Sequence, residues 1–347
     1  MPAQLSEKQF FNLENLTNFR HWMHQNAELS FQEFKTQAKV IEYLTQNLKL
    51  PESEIKIMAK TGCTIDIYGT AAPKGNPILI AARTDLDALK MAEENDLPYR
   101  STTNAAHMCG HDGHTACLLG GISLLLDNLE KIPSNRGVRF LFQPAEEGYI
   151  GAHYMVQDGC MKNVKEVYGL HNIPKNHFKG KFGIKKGYML RSASQLTWKI
   201  IGKGGHGSQP EKCKNPLPVA CEVLLAMDKI FNEFMESHPA LTGSIPMLKG
   251  SEAKNVIVDE AIISGTIRNF DVKEANELVD MMNAKAKEIV DKTELKLVID
   301  NHVDKFPAVD NSETQVEYVR EAVRNLWGDI CIEDELPESG SEDFSYF

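Results

Sequence analysis

The sequence predicts an α/β protein: a mostly parallel three-layer α/β domain with a smaller ferredoxin-like α+β domain inserted into it. A chain of 347 residues is too long for one ordinary hydrophobic core and predicts two domains. Short continuous apolar runs separated by helical patterns indicate buried parallel strands in the first half. Strands in the middle alternate apolar and polar residues, which is typical of a sheet with one face in water.

The larger domain is predicted from its helices and strands in chain order. Apolar residues recur at helical spacing in three segments, 8–26, 32–49 and 111–129. Continuous apolar runs predict buried strands at 77–82, 137–143 and 164–170. Helices between such strands imply layers on both faces of the sheet. We assign 1–189 to the first part of this domain and 303–347, with an amphipathic helix at 313–326, to its return segment.

The inserted domain is predicted to occupy residues 190–302. Its strands are expected at 195–202, 241–248, 261–270 and 294–300. Two helices, 217–236 and 272–292, lie between them along the chain. The resulting order β-α-β-β-α-β is that of a ferredoxin-like domain.

The net charge, the apolar runs and the cysteines of the sequence indicate which kinds of binding partner and which compartment to expect. The formal net charge of −10 repels polyanions and argues against nucleic acid or an anionic membrane. No run of eighteen apolar residues and no signal-like start are present, so we expect neither membrane spanning nor secretion. The seven cysteines are odd in number and lack paired spacing, which predicts a reducing cytoplasmic compartment. A small molecule is the expected partner.

The segment HMCGHDGHT, residues 107–115, places one thiol, three imidazoles and a carboxylate at the start of a predicted helix. Thiolate, neutral imidazole and carboxylate are the side chains that bind zinc and similar cations. The Cys-Gly-His spacing lets Cys109 and His111 reach one metal from a tight turn. A helix cap with surface histidines is the alternative interpretation.

Three buried strands run directly into ionisable residues. These residues are Asp85 after the first strand, Glu146 and Glu147 after the second, and His171 after the third. Ligands bind at the carboxyl ends of strands in open α/β sheets, so we expect one shared crevice. Solvated carboxylates and a core histidine are the alternative for each residue taken alone.

Adjacent glutamates cannot easily share one role. One of Glu146 and Glu147 can bind a cation while the other accepts a proton from the attacking water. Asp85 is placed to accept a hydrogen bond from a metal-binding imidazole, which would fix the tautomer of that ring.

The inserted domain contributes a glycine-rich loop, GKGGHGS, at residues 202–208. It lacks the spacing of a phosphate-binding loop. Its glycines instead favour presentation of His206 from a strand end, where the ring could stabilise a developing oxyanion; a surface histidine is the alternative. Asn255 and Arg268 stand on or beside the following strands.

The motifs together resemble the M20 metallopeptidase superfamily, and more closely its amidohydrolase branch of hippurate hydrolases, N-acyl-amino-acid deacylases and hydrolases of auxin conjugates. The motifs are ARTDLDAL, HMCGHDGHT, FQPAEEG, GLHNIP, GKGGHGSQP, NVI, SGTIRNF and GSEDFSYF, in this order. The resemblance spans about residues 15 to 347. It implies a catalytic domain that binds two metal ions and a lid domain that often mediates dimerisation.

The resemblance also implies roles for the candidate residues. It makes Glu146 the general base, Asp85 the orienting carboxylate and His206 the lid donor. It assigns Asn255 and Arg268 to contact with the substrate or with the partner subunit's site. The implied metal ligands are Cys109, His111, Glu147 and His171. We therefore expect two divalent cations per subunit, zinc, manganese, cobalt or nickel, an N-acyl amino acid substrate and a homodimer formed through the lid.

Members of that superfamily continue past a GSEDFSYF-like segment to a further histidine of the second metal shell, whereas this sequence ends at Phe347. Two interpretations are that the chain is a fragment or that its second metal is weakly held. The first alternative function is a dipeptidase or an N-acetyl-diaminopimelate deacetylase with the same metal chemistry. The second is a catalytically impaired metal-binding protein.

Overall fold

The computed structural model describes residues 9–70, 77–174, 179–329, 331–332 and 340–347. The chain divides into two compact units. Unit 1 comprises Met1–Ile184, Glu317–Ile332 and Tyr346–Phe347, and unit 2 comprises Lys185–Val316 and Glu333–Ser345. Within the described ranges, no helix combines the length and the apolar character needed to cross a bilayer.

Unit 1 is built on a five-stranded mixed sheet. Its strands are β1 (Lys56–Met58), β2 (Gly62–Tyr68), β3 (Ile78–Asp85), β4 (Arg136–Gln143) and β5 (Val164–Gly169). They lie in the order β1-β2-β4-β3-β5. β3 pairs in parallel with β4 and β5, whereas the β1–β2 and β2–β4 pairs are antiparallel. The carboxyl ends of β3, β4 and β5 therefore lie at one edge of the sheet.

Among the described residues of unit 1 up to Ile184 there are five α-helices. They are α1 (Leu13–Gln25), α2 (Phe34–Glu42), α3 (His111–Leu126), α4 (Glu146–Tyr149) and α5 (Gly151–Gln157). Asn12 caps α1 by accepting the N–H of Asn15 at 2.9 Å. α2 continues into a π-helical turn, Tyr43–Asn47. The buried faces of α1, α2 and α3 share one core with β2 and β4, including Phe19, Val40, Ile65, Leu119 and Phe140. Burial of these apolar side chains is what holds the helices on the sheet.

The remaining elements follow in chain order. The strands are β6 (Phe182–Gly183), β7 (Gly187–Leu190), β8 (Ala193–Ile201), β9 (Gly205–His206), β10 (Thr242–Lys249), β11 (Val256–Ile257), β12 (Glu260–Arg268), β13 (Lys296–Ile299), β14 (His302–Phe306), β15 (Val309–Asn311) and β16 (Cys331–Ile332). The helices are α6 (Leu217–Ser237), α7 (Val272–Val290) and α8 (Glu313–Trp327).

Unit 2 contains an antiparallel sheet in the order β10-β12-β8-β13, with β14 also paired to β8. Alternate residues of β8, Leu196, Trp198 and Ile200, are fully buried in a core shared with α6 and α7. Intervening residues such as Gln195 are exposed or half-buried. One face of this sheet therefore packs on two helices, as the period-2 pattern predicts.

The predicted fold class is confirmed: an α/β unit with a ferredoxin-like α+β unit between its parts. β3 pairs in parallel with β4 on one side and with β5 on the other. The antiparallel strands β1 and β2 at one edge make the sheet mixed. β15 pairs with β7 and so belongs to unit 2. The domain boundaries drawn from the sequence, at residues 189 and 302, stay predictions.

Candidate metal centre

The segment before α3 makes a tight turn that needs a glycine. Gly110 caps the helix with φ 98 and ψ 12, in the left-handed region. A Cβ at this position would lie 3.1 Å from the side-chain nitrogen of Asn172. The turn leaves Cys109 and His111 on the same side of the chain, at the amino end of α3.

The predicted convergence of strand ends is found in unit 1. Asp85 ends β3, Glu146 begins the short α4 after β4, and His171 follows β5. Because these three strands are parallel neighbours, their carboxyl ends meet at the edge where α3 begins.

His111 and four other predicted site residues lie close together. The Sγ atom of Cys109 lies 3.4 Å from Nε2 of His171. Nε2 of His111 lies 3.9 Å from Oε2 of Glu146 and 3.9 Å from Oε1 of Glu147. One donor atom each from Cys109, His111 and His171 falls within 4.8 Å of the others, and the same holds for His111, Glu146 and Glu147.

The donor atoms fit a divalent cation. Nδ1 of His111 lies 2.8 Å from the backbone oxygen of Asp87, which holds a proton on Nδ1 and directs Nε2 at the cluster. Nε2 of His111 and Oε1 of Glu147 are buried and have no hydrogen-bond partner in the part of the chain that the structure describes. Sulfur, imidazole nitrogen and carboxylate oxygen suit zinc and its neighbours, so a bound cation would satisfy both atoms.

Buried carboxylates give the site a negative field. Burial disfavours a charged His111, but Asp85 and Asp87 outweigh it and raise the pKa of the imidazole well above its usual value. Burial raises the pKa of Glu147, partly opposed by His111. Such a field attracts cations.

Asp85 forms a hydrogen bond with His114, a histidine that had no predicted role. Its Oδ1 lies 2.8 Å from Nδ1 of His114, whereas its Oδ2 lies 3.8 Å from Nε2 of His111. Arg83 donates to Oδ2 of Asp85 at 2.7 Å. Burial would raise the pKa of this carboxyl, but His111 and Arg83 hold it well below its usual value. The third histidine of the HMCGHDGHT segment was the available signal for His114.

Asp87 is a second residue without a predicted role. Its two carboxylate oxygens accept the N–H groups of Glu146 and Glu147 at 3.0 and 2.9 Å, and Ser30 donates to it at 2.6 Å. Asp87 is fully buried. Its place in the ARTDLDAL motif, two residues after Asp85, was the only sequence signal.

The other three predicted residues belong to unit 2. His206 is exposed in β9, and its Nδ1 lies 2.7 Å from Oγ of Ser208. The N–H of Gly207 donates to the backbone oxygen of Asn255 at 2.8 Å, which places Asn255 beside this loop. Arg268 ends β12 and donates to the side chain of Thr266. The catalytic, metal and substrate roles of all nine residues stay predictions.

Comparison with known proteins identifies the family. The family model for peptidase family M20/M25/M40 matches residues 81–347. A hippurate hydrolase of Campylobacter jejuni is 33% identical over 94% of this chain and 83% of its own length. An N-acetyl-L-cysteine deacetylase of Bacillus subtilis is 33% identical over 100% of this chain and 79% of its own.

Solved structures agree with the sequence matches. A dinuclear metal-binding peptidase of the M20 family from Bacillus subtilis superimposes with a TM-score of 0.70 at 29% identity. That comparison covers 96% of this chain and 84% of the other. The match of family model, relatives and fold, together with the cluster around His111, shows that this chain belongs to peptidase family M20/M25/M40.

Proposed function

We propose that the protein is a metal-dependent amidohydrolase that cuts the amide bond of N-acyl amino acids. The cluster of Cys109, His111, Glu146, Glu147 and His171 at the strand ends carries the proposal. The names of the hippurate hydrolase and N-acetyl-L-cysteine deacetylase relatives support the substrate class.

The metal ligands in this proposal are Cys109, His111, Glu147 and His171, holding two divalent cations per subunit. The mixed sulfur, nitrogen and oxygen set accepts zinc, manganese, cobalt or nickel. When bound, such cations would polarise the acyl carbonyl and make the attacking water more acidic.

Glu146 is the proposed proton carrier. Its carboxylate reaches to 3.9 Å from Nε2 of His111, and its residue is 7% exposed, so it sits at the cluster with limited access to bulk water. In the proposal one carboxylate oxygen of Glu146 takes a proton from the water that attacks the acyl carbon. The same proton then passes to the amide nitrogen as the carbon–nitrogen bond breaks and the amine leaves.

The residues of unit 2 are proposed to act on the substrate. Nδ1 of His206 is engaged with Ser208, which leaves Nε2 to donate to the oxyanion of the tetrahedral intermediate. Arg268 carries a half-buried guanidinium that suits the carboxylate of an amino acid. Asn255 is proposed as a further substrate contact beside the His206 loop.

We also propose a cytoplasmic homodimer formed through the inserted domain. The six cysteines whose side chains the structure describes are all free, in keeping with a reducing compartment. β10 lies at one edge of the unit 2 sheet, where a strand from a second copy could pair with it.

A substrate panel on metal-stripped protein tests the function. The protein is reloaded separately with zinc, manganese, cobalt and nickel and assayed on hippurate, N-acetylmethionine, N-acetyl-diaminopimelate and dipeptides. We expect metal-dependent release of the free amino acid from the first two. Faster cleavage of dipeptides or of N-acetyl-diaminopimelate would favour those activities, and bound metal without any hydrolysis would favour a catalytically silent protein.

A further inference from the structure

The turn that carries the two glutamates has an unusual backbone. We call residues 144–151 the glutamate turn. Ala145 has φ 56 and ψ 42, and Ile150 has φ 51 and ψ 48, both left-handed values that residues with a Cβ rarely adopt. A Cβ on Gly151 would lie 1.7 Å from the backbone oxygen of Pro144, so the chain closes tightly on itself. Such a backbone persists only where its surroundings hold it.

Two buried carboxylates hold three consecutive amides of the glutamate turn. Oε1 of Glu33 accepts the N–H of Ala145 at 2.9 Å. The carboxylate of Asp87 accepts the next two amides, those of Glu146 and Glu147, at 3.0 and 2.9 Å. Ala145 and both glutamates are therefore fixed through their backbone N–H groups, and these three contacts do not use either glutamate side chain.

Glu33 reaches this turn from a distant part of the sequence. It lies 112 residues before Ala145, directly before α2, and is 0% exposed. Oγ1 of Thr61 donates to its second oxygen at 2.6 Å. One oxygen of Glu33 accepts from Ala145 and the other accepts from Thr61. These two hydrogen bonds together fix the orientation of the carboxylate.

The two contacts of Glu33 do not require its charge. Burial raises the pKa of Glu33 to about 7, and the nearby charge of Asp87 adds to the effect. In the protonated form the carboxyl O–H can donate to the Thr61 hydroxyl while the carbonyl oxygen still accepts from Ala145. A glutamine can make the same two bonds, with its amide N–H donating to Thr61.

We propose that Glu33 is a positioning residue: its side chain holds Ala145 in the left-handed conformation that aims Glu146 and Glu147 at the metal cluster. The proposal rests on the amidohydrolase function proposed above. Glu33 touches neither the cluster nor substrate in this role, and it acts through the backbone of the glutamate turn.

Three variants separate positioning from general stability. Glu33→Ala removes the acceptor of the Ala145 amide, whereas Glu33→Gln keeps it. Asp158→Ala is the matched control, because Asp158 accepts the amide of another left-handed alanine, Ala59 with φ 44, at 2.6 Å. The control loses a carboxylate–amide bond in the same unit without touching the glutamate turn.

Steady-state kinetics with N-acetylmethionine at saturating metal give the first readout. We expect Glu33→Ala to lower kcat about 100-fold with little change in KM, since misplacement of a reacting group by about 1 Å has that effect. Glu33→Gln and Asp158→Ala should keep kcat near the wild-type value, even if Asp158→Ala melts at a lower temperature. Wild-type kcat in Glu33→Ala would overturn the proposal, as would an equal loss in Glu33→Gln.

The amide-proton chemical shift of Ala145 in metal-free protein gives the second readout. A hydrogen bond to Glu33 shifts this proton downfield, and we expect the shift to be lost in Glu33→Ala and kept in Glu33→Gln and Asp158→Ala. If the wild type hydrolyses no amide, this readout alone decides the proposal. A changed shift supports the positioning contact although the proposed function has failed, and an unchanged shift overturns it.

Discussion

His114 connects Asp85 to the strand end that carries His171. Nδ1 of His114 lies 2.8 Å from Oδ1 of Asp85, and Nε2 of the same ring accepts the N–H of Asn172 at 2.8 Å. Because Nε2 accepts from Asn172, Nδ1 is the ring atom whose N–H faces the carboxylate. Because Asn172 directly follows His171, the imidazole fixes the backbone beside a proposed metal ligand.

Replacing His114 by alanine should weaken both the fold and metal binding. The variant leaves the Asn172 amide and one oxygen of a fully buried carboxylate without their partner, at a cost of about 3 kcal/mol. Loss of an outer partner of a metal site typically lowers metal affinity by about 10-fold or more. Urea unfolding and a zinc competition titration measure the two effects.

His302→Ala is the control for that experiment, because His302 lies 3.1 Å from Asp300 in an exposed pair of unit 2. We expect it to change neither unfolding free energy nor zinc affinity appreciably. Equal zinc affinity in His114→Ala and the wild type would show that His114 does not position His171.

Glu146→Gln should abolish most turnover without loss of metal. The amide cannot take the proton from water, and loss of a general base typically costs about 10³-fold in kcat. Glu147 and the other proposed ligands are untouched, so elemental analysis should find wild-type metal content. Glu130→Gln, an exposed glutamate of unit 1, is the matched control. Full activity in Glu146→Gln would remove Glu146 from the mechanism.

The buried His24 predicts a stability that falls as pH rises. Its hydrogen bond to Asp112 raises the pKa of the imidazole, burial opposes this, and Glu93 adds a second carboxylate. A raised folded-state pKa contributes stability fully below the unfolded value of about 6.5 and loses it as pH rises through the folded value. Urea unfolding of wild type and His24→Gln should differ more at pH 6 than at pH 9. A difference that grows with pH would contradict this sign.

Glu33 predicts a loss of stability over a defined pH interval. Its pKa is about 7 in the folded protein against an ordinary 4.5, so the folded state binds more protons between these values. Stability of the wild type relative to Glu33→Gln should therefore fall from pH 4.5 to pH 7, by about 3 kcal/mol. Urea unfolding at several pH values in this interval measures the trend, and a flat difference would show that Glu33 titrates normally.

The alternation of apolar and polar residues predicted those strands that have one face buried in a core and one face in water. The alternation at 195–202 and 261–270 became β8 and β12, because Trp198 and Ile263 must face one core while their neighbours face water. No range was predicted for β2, Gly62–Tyr68, although Cys63, Ile65 and Ile67 alternate along it with more polar residues and enter the core; the strand pairs with β4. The predicted helix at 32–49 is divided in the structure into α2 and a π-helical turn.

The cluster itself could be predicted because parallel strand ends bring distant residues to one edge of the sheet. The hydrogen bonds that hold the cluster residues in place could not be predicted. Glu33 meets Ala145 across 112 residues, and His114 meets Asn172 across 58, through tertiary contacts that no local pattern specifies. Only the folded chain shows which buried carboxylate holds which amide.

Crystals of the protein grown with zinc test the central claim most directly, through anomalous difference density at the zinc edge. We expect peaks about 2.0 to 2.3 Å from Sγ of Cys109, Nε2 of His111, a carboxylate oxygen of Glu147 and Nε2 of His171. Zinc found only at other positions, with these four side chains free of metal, would contradict the account.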